Sequence, residues 1–143
     1  MLFPKKELDL STPKVMGVLN LTPDSFFDGG KFLRKDNSFD ESKIINSIES
    51  MIEDGADFID IGAQSTKPGF TKISPSEELD RLGLVFDKLN DYPVLFSIDT
   101  FNYEVIKEAI NKKIDLINNV FSFSDQDCFK LVCRNDVPIC VCH

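Results

Sequence analysis

The stretch from which the organisation of this chain follows reads Val15-Met16-Gly17-Val18-Leu19-Asn20-Leu21-Thr22-Pro23-Asp24-Ser25-Phe26-Phe27-Asp28-Gly29-Gly30. Its first five residues form an apolar run too short for a helix, which predicts a buried strand that stops at Asn20. The Thr-Pro, Asp-Ser and Gly-Gly pairs that follow are turn formers. A solvated loop has no local reason to carry two adjacent phenylalanines, Phe26 and Phe27. The loop therefore either folds its aromatic side chains onto the core or belongs to a binding site.

The same pattern of strand, loop and amphipathic helix repeats along the chain in units of about 25–30 residues. Further strands are predicted over 58–61, 94–98, 116–120 and 139–142. Helices are predicted between them, from about 38 to Gly55, over 75–89, over 103–112 and through about 129–133. Strands that alternate with helices favour right-handed crossovers and a parallel sheet, so the fold class is α/β.

Two segments have the Ser-x-x-Glu form of a capping box, which predicts a helix start at each of them. They are Ser38-Phe39-Asp40-Glu41 and Ser74-Pro75-Ser76-Glu77, the second with proline at the first helical position. Residues 1–14 are expected to be a lead-in that closes the bottom of the domain. No linker or shift in composition divides the chain, so we predict one domain over 1–143.

The composition excludes several functional classes. The chain has 143 residues, is 42% hydrophobic and carries a formal net charge of −8 without a basic cluster. Nucleic acid and anionic membranes are therefore poor partners. No stretch approaches the roughly 20 apolar residues of a membrane helix, and the first residues lack the basic-then-apolar order of a secretory signal. We therefore predict a cytoplasmic protein.

Four cysteines, Cys128, Cys133, Cys140 and Cys142, stand in the last sixteen residues. Reduced thiols that act as small buried hydrophobic side chains are the favoured interpretation. A zinc site made by Cys140, Cys142 and His143 is the alternative. It is disfavoured because alternate residues of a strand share a face, which places His143 on the opposite side from the two thiols.

Polar residues follow each predicted strand, and in a parallel sheet all these strand ends lie at one edge, where ligands bind. These residues are Asn20, Gln64 with Ser65, Asp99, Asn118 and His143. Polar residues also commonly begin loops, so each position taken alone is also explained as an ordinary loop start. Asp99 and Asn118 end neighbouring strands and together offer a carboxylate acceptor and an amide. This pair suits a planar ligand edge with donors and acceptors side by side.

Residues 15–30 closely resemble the opening signature of the dihydropteroate synthase family, enzymes of folate synthesis. The resemblance continues through four more ordered motifs: Ile59-Asp60-Ile61-Gly62-Ala63-Gln64-Ser65-Thr66-Lys67-Pro68-Gly69, Phe96-Ser97-Ile98-Asp99-Thr100, Leu116-Ile117-Asn118-Asn119, and Val137-Pro138-Ile139-Cys140-Val141-Cys142-His143. It implies a parallel (β/α) barrel of TIM type, here only about the first five β/α units. The later family motifs Asp-Pro-Gly-Phe-Gly, Ser-Arg-Lys and Arg-x-His have no counterpart here. The chain would thus be the N-terminal part of a pterin-binding barrel.

The resemblance also implies the chemistry of the site. It assigns Asp99 and Asn118 as catalytic residues that hold a pterin, and Asn20 as the ligand of Mg²⁺. Residues implied to bind substrate are Asp99, Asn118, Phe26 (or Phe27), Ser65, Thr66, Lys67 and Pro68. The implied reaction joins a dihydropterin-6-ylmethyl diphosphate to 4-aminobenzoate and releases pyrophosphate. Departures from the family pattern are Ala63, Gln64, Lys67, Asn119 and Cys142.

Three alternatives accompany this assignment. The first is a non-catalytic pterin-binding subunit completed by a partner, either a second copy in a homodimer or a complementing C-terminal half. The second is a related pterin-barrel methyltransferase, which fits the pterin edge but not the segment from Asn20 to Phe26. The third is a purely structural domain. If the chain is a fragment, the first and fifth strands are expected to be open edges.

Overall fold

The computed structural model of the chain describes residues 3, 7–23, 31–65, 69–121 and 124–142. In this part of the chain five strands alternate with helices. The strands are β1 (Met16–Asn20), β2 (Phe58–Gly62), β3 (Leu95–Asp99), β4 (Leu116–Asn119) and β5 (Ile139–Val141). The α-helices are α1 (Glu41–Glu53), α2 (Pro75–Phe86), α3 (Tyr103–Asn111) and α4 (Gln126–Arg134), and a 3₁₀ turn (Leu89–Asp91) precedes β3.

All five strands lie in one parallel sheet in the order β1-β2-β3-β4-β5. Each connection between neighbouring strands contains a helix, so the described chain forms four consecutive β/α units and a fifth strand of a partial α/β barrel. The predicted fold class is confirmed. Within the described ranges β1 and β5 each pair with a single strand and form the two edges of the sheet.

One face of the sheet, the helix face, is apolar and closed to solvent. Its strand residues pack with the apolar stripes of the helices, and they are Leu19, Ile59, Ile61, Phe96, Ile98 and Ile117, all fully buried. The helical stripes include Ile44 and Ile48 of α1, Leu82 of α2 and Val105 of α3. Removing this apolar surface from water is the main stabilising contribution to the fold.

The opposite, interior face changes character along the strands. At its bottom, the amino ends of the strands, Phe3 and Leu8 of the lead-in pack on Phe58, Leu95 and Leu116. The lead-in therefore closes the bottom of the sheet, as predicted. On the edge strand β1 the interior face is open instead, with Met16 37% and Val18 53% exposed.

The turns at the bottom of the sheet share one geometry. After α1, α3 and α4, the second residue beyond the helix has a positive φ: Gly55 (91°), Lys113 (61°) and Asp136 (51°). The N–H of the following residue then returns to a carbonyl in the last helical turn, at 3.0 Å for Ala56 to Met51, 3.1 Å for Ile114 to Ala109 and 3.2 Å for Val137 to Val132. This is the Schellman arrangement, which satisfies carbonyls at the helix end.

One predicted helix start is confirmed and the other is wrong. Ser74 caps α2 by accepting the N–H of Glu77 at 3.2 Å, with Pro75 at the first helical position. The capping residue of α1 is Asp40 rather than Ser38, and the Asp40 side chain makes no capping bond. The Ser38 hydroxyl instead donates to Asp36 at 2.6 Å, because an aspartate two residues away offers a local acceptor.

The four cysteines are free thiols, as predicted, but only Cys128 is buried. The expectation that Cys133, Cys140 and Cys142 are buried is wrong. Cys140 is exposed because it lies on the edge strand β5. The zinc alternative requires His143, which lies outside the described residues. Among the described helices, none has the length and apolar character needed to cross a membrane.

Candidate functional site

The sheet register brings the predicted site residues into one row at the top, the carboxyl ends of the strands. Asn20 pairs with Gly62, Gly62 with Asp99, Asp99 with Asn118, and Asn118 with Cys140. Residues that pair across parallel strands point to the same face, so these side chains share the interior face. The strand ends thus gather Asn20, Asp99 and Asn118 as the sequence predicted.

Gly62 leaves a gap in the middle of this row. A Cβ at Gly62 would lie 3.2 Å from Asn20 Oδ1 and 3.7 Å from Asp99 Oδ2. An amide oxygen and a carboxylate oxygen therefore border one small space that a side chain would fill. Oxygen atoms of this kind are the ligands that Mg²⁺ takes, with water and substrate phosphate in its remaining positions.

A second acidic residue, Asp60, lies one row below on the interior face and is buried. The Asn118 amide reaches over β3 and donates from Nδ2 to Asp60 Oδ2 at 2.9 Å. In the described part of the chain, Asp60 Oδ1, Asp99 Oδ1 and Asn118 Oδ1 are buried and have no hydrogen-bond partner. Buried acceptors without a partner are costly, so these three oxygens indicate a place where a ligand supplies donors.

The surroundings of Asp99 favour the protonated form of its carboxyl group up to near neutral pH. Burial, together with the charges of Asp60 and Glu78, raises the pKa of Asp99 to about 7. Strongly raised carboxyl pKa values of this kind are concentrated at functional sites. Partial desolvation of the thiol, followed by the charges of Cys142, Asp60 and Asp99, also raises the pKa of Cys140, although the residue as a whole is exposed. The interior face around Asp99 is therefore acidic and resists further negative charge.

Glu78 belongs to a buried polar cluster behind Asp99. It lies on α2 and accepts a hydrogen bond from the Asn102 side chain at the start of α3. Burial raises the pKa of Glu78, against the effect of hydrogen bonds from Thr100 and Asn102. Asn102 N–H donates to the Thr100 hydroxyl at 3.2 Å. The segment that follows Asp99 is thereby fixed to α2.

Aromatic side chains from three loops line the rim above the strand ends. Phe101 makes edge-to-face contacts with Phe70, at 6.3 Å between ring centroids, and with Phe121, at 4.9 Å. The ammonium group of Lys72 lies 5.0 Å from the Phe101 ring. The sequence prediction missed this rim, because each aromatic residue stands alone in its own loop.

The loop after β2 contains several predicted residues. Gln64 is buried and its side-chain carbonyl accepts the N–H of Ile73 at 3.2 Å, so it ties the two ends of the loop together. Ser65 is half-buried beside it. Other predicted residues lie outside the described part of the chain: Phe26, Phe27, Thr66, Lys67, Pro68 and His143.

Asp60 and Glu78 are the site residues that the sequence prediction missed. Asp60 had a visible signal, because Phe58-Ile59-Asp60-Ile61 places a carboxylate inside a strand whose residues are all buried. An ionisable residue in such a position needs a partner or a function. Glu78 had no such signal, because a glutamate in the first turn of a helix is ordinary.

Comparison with known proteins shows the family to which the chain belongs. A model of the family described as "Pterin binding enzyme" matches residues 16–143. The folate synthesis bifunctional protein (mitochondrial) of Arabidopsis thaliana is 46% identical over 134 residues, which cover 90% of this chain and 23% of that protein. The dihydropteroate synthase of Clostridium beijerinckii is 39% identical over 131 residues, covering 90% of this chain and 46% of the synthase.

A solved structure has the same fold. The Yersinia pestis dihydropteroate synthase, in complex with a sulfonamide drug, aligns with a TM-score of 0.87 and 35% identity. The alignment covers all of this chain and 50% of that one. The chain thus spans about half the length of the synthases it matches.

Proposed function

This chain belongs to the pterin-binding enzyme family, and from that premise we propose that it is the N-terminal part of a dihydropteroate synthase. The proposed enzyme joins 7,8-dihydropterin-6-ylmethyl diphosphate to 4-aminobenzoate, with release of pyrophosphate. The observation that carries the proposal is the row of Asn20, Asp99 and Asn118 at one edge of the interior face.

Asp99 and Asn118 are proposed to hold the pterin. The amino-pyrimidinone part of a pterin presents an exocyclic amino group and a ring N–H in one plane. Those donors suit the buried oxygens Asp99 Oδ1 and Asn118 Oδ1. The closed bottom of the interior face, packed by Phe58, Leu95 and Leu116, leaves the top as the place where a flat ring fits.

The proposed chemistry is a substitution at the methylene carbon attached to the pterin. The amine nitrogen of 4-aminobenzoate forms a bond to that carbon, the carbon–oxygen bond to the diphosphate breaks, and the nitrogen loses a proton. Cationic character develops on the carbon as the bond to oxygen breaks. Asp60, Glu78 and Asp99 supply negative potential on this side of the site, which favours such a charge.

Asn20 is proposed to hold Mg²⁺ through its side-chain oxygen, at the gap over Gly62. When bound, the ion would stabilise the negative charge of the leaving diphosphate. Within the described ranges no group of three or more Asp, Glu, His or Cys side chains is arranged to hold a metal. A single protein ligand is compatible with Mg²⁺, which keeps several waters and binds substrate phosphates.

The remaining predicted residues are proposed to complete the second half of the site. Phe26, Ser65, Thr66, Lys67 and Pro68 would form the pocket for 4-aminobenzoate, on loops that close over the reactants and exclude water. A dihydropteroate synthase of Xanthomonas albilineans, 33% identical to this chain, was solved with 4-aminobenzoic acid, which supports the proposal of such a pocket. We place the enzyme in the cytoplasm.

A partner-completed subunit is the second candidate, favoured by the exposed interior face of β1. Met16 and Val18 are exposed on the interior face, which side chains from further strands fill in a closed barrel. In this alternative the chain binds pterin but makes no product until a complementing C-terminal half, or a second copy, supplies the missing strands. The proposed partners are small molecules and such a protein chain.

The test is pyrophosphate release by the purified 143-residue chain with Mg²⁺, the dihydropterin diphosphate and 4-aminobenzoate. The chain spans about half the length of the synthases it matches, so the isolated chain is expected to release little or no pyrophosphate. Release that requires both substrates and that the Asp99→Ala variant lacks would show that the missing strands are dispensable. If the folded chain releases none, adding a separately produced C-terminal half of a synthase distinguishes the candidates. Release only after that addition supports the partner-completed subunit. No release and no pterin binding would contradict both.

A further inference from the structure

We propose that Asp60 is a positioning residue that fixes the Asn118 amide with its oxygen toward the ligand, so that the site selects ring edges rich in hydrogen-bond donors. This inference rests on the proposed function and extends it to specificity. Asp60 acts through Asn118 rather than by reacting with substrate.

The hydrogen bond between Asn118 and Asp60 sets the orientation of the Asn118 amide. An asparagine amide is symmetric in shape and can present either its NH₂ group or its oxygen. Asp60 Oδ2 lies 2.9 Å from Asn118 Nδ2 and is an acceptor, so the amide places its NH₂ group there. Asn118 Oδ1 is then the atom directed away from Asp60, buried and without a partner in the described chain.

The orientation of Asn118 determines which polar atoms the interior face presents to a ligand. With one N–H of the Asn118 amide bound to Asp60, the buried atoms of this cluster without a partner in the described chain are Asp60 Oδ1, Asp99 Oδ1, Asn118 Oδ1 and the Ser97 hydroxyl oxygen. The carboxyl and amide oxygens accept hydrogen bonds, and the Ser97 hydroxyl, fully buried one row below Asp99, can accept or donate. A ligand that presents a carbonyl oxygen to Asn118 would place two acceptors against each other, which is unfavourable in a buried site.

The site is therefore expected to bind pterin more tightly than lumazine. Pterin carries an amino group at position 2 of its ring, whereas lumazine has the same bicyclic skeleton with a carbonyl oxygen there. The amino group donates to the acceptor row, and the carbonyl oxygen does not. A site that hydrogen-bonds one group rejects the analogue that lacks it, because its own polar atoms are left without partners.

The experiment compares the affinities of the 143-residue chain for pterin and lumazine, measured by fluorescence titration, in the wild type and in Asp60→Asn. The wild type is expected to favour pterin about tenfold or more. In Asp60→Asn the introduced amide can turn its own NH₂ group toward Asn118, which frees the Asn118 amide to rotate and to donate to lumazine. The preference is therefore expected to fall by about tenfold in the variant.

Asp115→Asn is the matched control. Asp115 is also a buried carboxylate, and its Oδ2 accepts the N–H of Phe96 at 2.9 Å near the opposite end of the sheet. Both variants replace a buried carboxyl group by an amide with almost no change in shape. A general loss of packing would act alike in the two proteins, whereas altered discrimination is expected only in Asp60→Asn.

A second measurement needs no ligand. The Asn118 side-chain NH₂ signals, assigned in an ¹⁵N spectrum by their loss in Asn118→Asp, are expected to show slowed solvent exchange in the wild type and in Asp115→Asn. Fast exchange is expected in Asp60→Asn. Unchanged discrimination or unchanged exchange in Asp60→Asn would overturn the role of Asp60 alone. A wild-type chain that binds neither ring would overturn the proposed function and the specificity inferred from it.

Discussion

The two ends of the sheet are built differently. At the bottom, the connections 54–57, 112–115 and 135–138 have four residues each, and all three use the same helix-ending geometry. At the top, the connections 21–40, 63–74, 100–102 and 120–125 differ in length. The bottom of the interior face is packed by apolar side chains, whereas the top carries carboxyl and amide oxygens without partners in the described chain.

The bottom of the sheet therefore serves stability, and the top serves ligand binding. Short repeated turns and a packed end fix the strands relative to one another, and the variable loops then extend from a rigid edge. In β/α barrels catalytic residues occupy the carboxyl ends of the strands, and the opposite end serves stability. Changes at the bottom should therefore affect unfolding, and changes at the top should affect binding.

The largest expected effect is on the packed end. Leu95→Ala should lower the free energy of unfolding by about 2–5 kcal/mol, because it opens a cavity in place of a fully buried side chain. Ser97→Ala, two residues higher on the same face, should change it by less than about 1 kcal/mol. Urea unfolding followed by circular dichroism measures both, and equal losses would contradict the division between the two ends.

At the top, Asp99→Asn should weaken pterin binding by about 10- to 100-fold, because an ionised acceptor makes stronger hydrogen bonds than an amide. Isothermal titration calorimetry measures this loss. A variant that keeps wild-type affinity would remove Asp99 from the binding site.

The same variant should change how stability depends on pH. The pKa of Asp99 is about 7 in the folded chain and about 3.9 in an unfolded one, so the folded state holds this proton more tightly. The contribution of Asp99 to stability is therefore full below about pH 4 and is lost as the pH rises to about 7. Asp99→Asn should lack this decline, and thermal unfolding at several pH values tests the difference.

A smaller effect is expected at the bottom turns. Gly55→Ala should cost about 1 kcal/mol of unfolding free energy, because Gly55 has a φ of 91°, where a Cβ is strained. No heavy atom of the described chain lies within 4 Å of the position of the added Cβ, so backbone strain is the expected cause. Urea unfolding measures it, and a stabilised variant would show that this turn tolerates a side chain.

The smallest effect has the opposite sign. Lys113→Gly should raise the free energy of unfolding by about 0.5 kcal/mol, because Lys113 holds the corresponding turn position with a φ of 61°. Lys107→Gly, in the interior of α3, should instead cost about 1 kcal/mol. Urea unfolding compares the same Lys→Gly substitution in a turn and in a helix. A lower free energy of unfolding in both variants would show that the turn position does not favour glycine.

Much of the fold could be predicted because its signals are local. Short apolar runs such as 94–98 are separated by helical stripes, and this alternation is enough to indicate a parallel sheet. The start of α1 could not be read reliably, because the Ser38 side chain bonds to the nearby Asp36 instead of capping the helix. The exposure of Cys140 depends on the strand being an edge, which is a property of the whole sheet.

The candidate site was predictable only in part. Asn20, Asp99 and Asn118 were found because each ends a strand, and parallel strands bring their ends together. Glu78 was missed because its significance depends on its distance from Asp99, which no spacing in the sequence displays. Asp60 was missed although it interrupts an apolar strand, because its partner Asn118 lies 58 residues further along the chain. The roles of Phe26, Ser65, Thr66, Lys67 and Pro68 remain predictions.

Asp99 and Asn118 lie side by side only when β3 and β4 pair in the native register, so ligand binding depends on correct strand pairing. A slip of β4 by one residue would turn Asn118 toward the helices and place Ile117 on the interior face. A ligand held by both residues binds only the native pairing, and at a hundredfold excess over its dissociation constant it adds about 2.7 kcal/mol to that state. The ligand therefore selects the correct strand pairing, and its concentration sets how strongly misregistered chains are disfavoured.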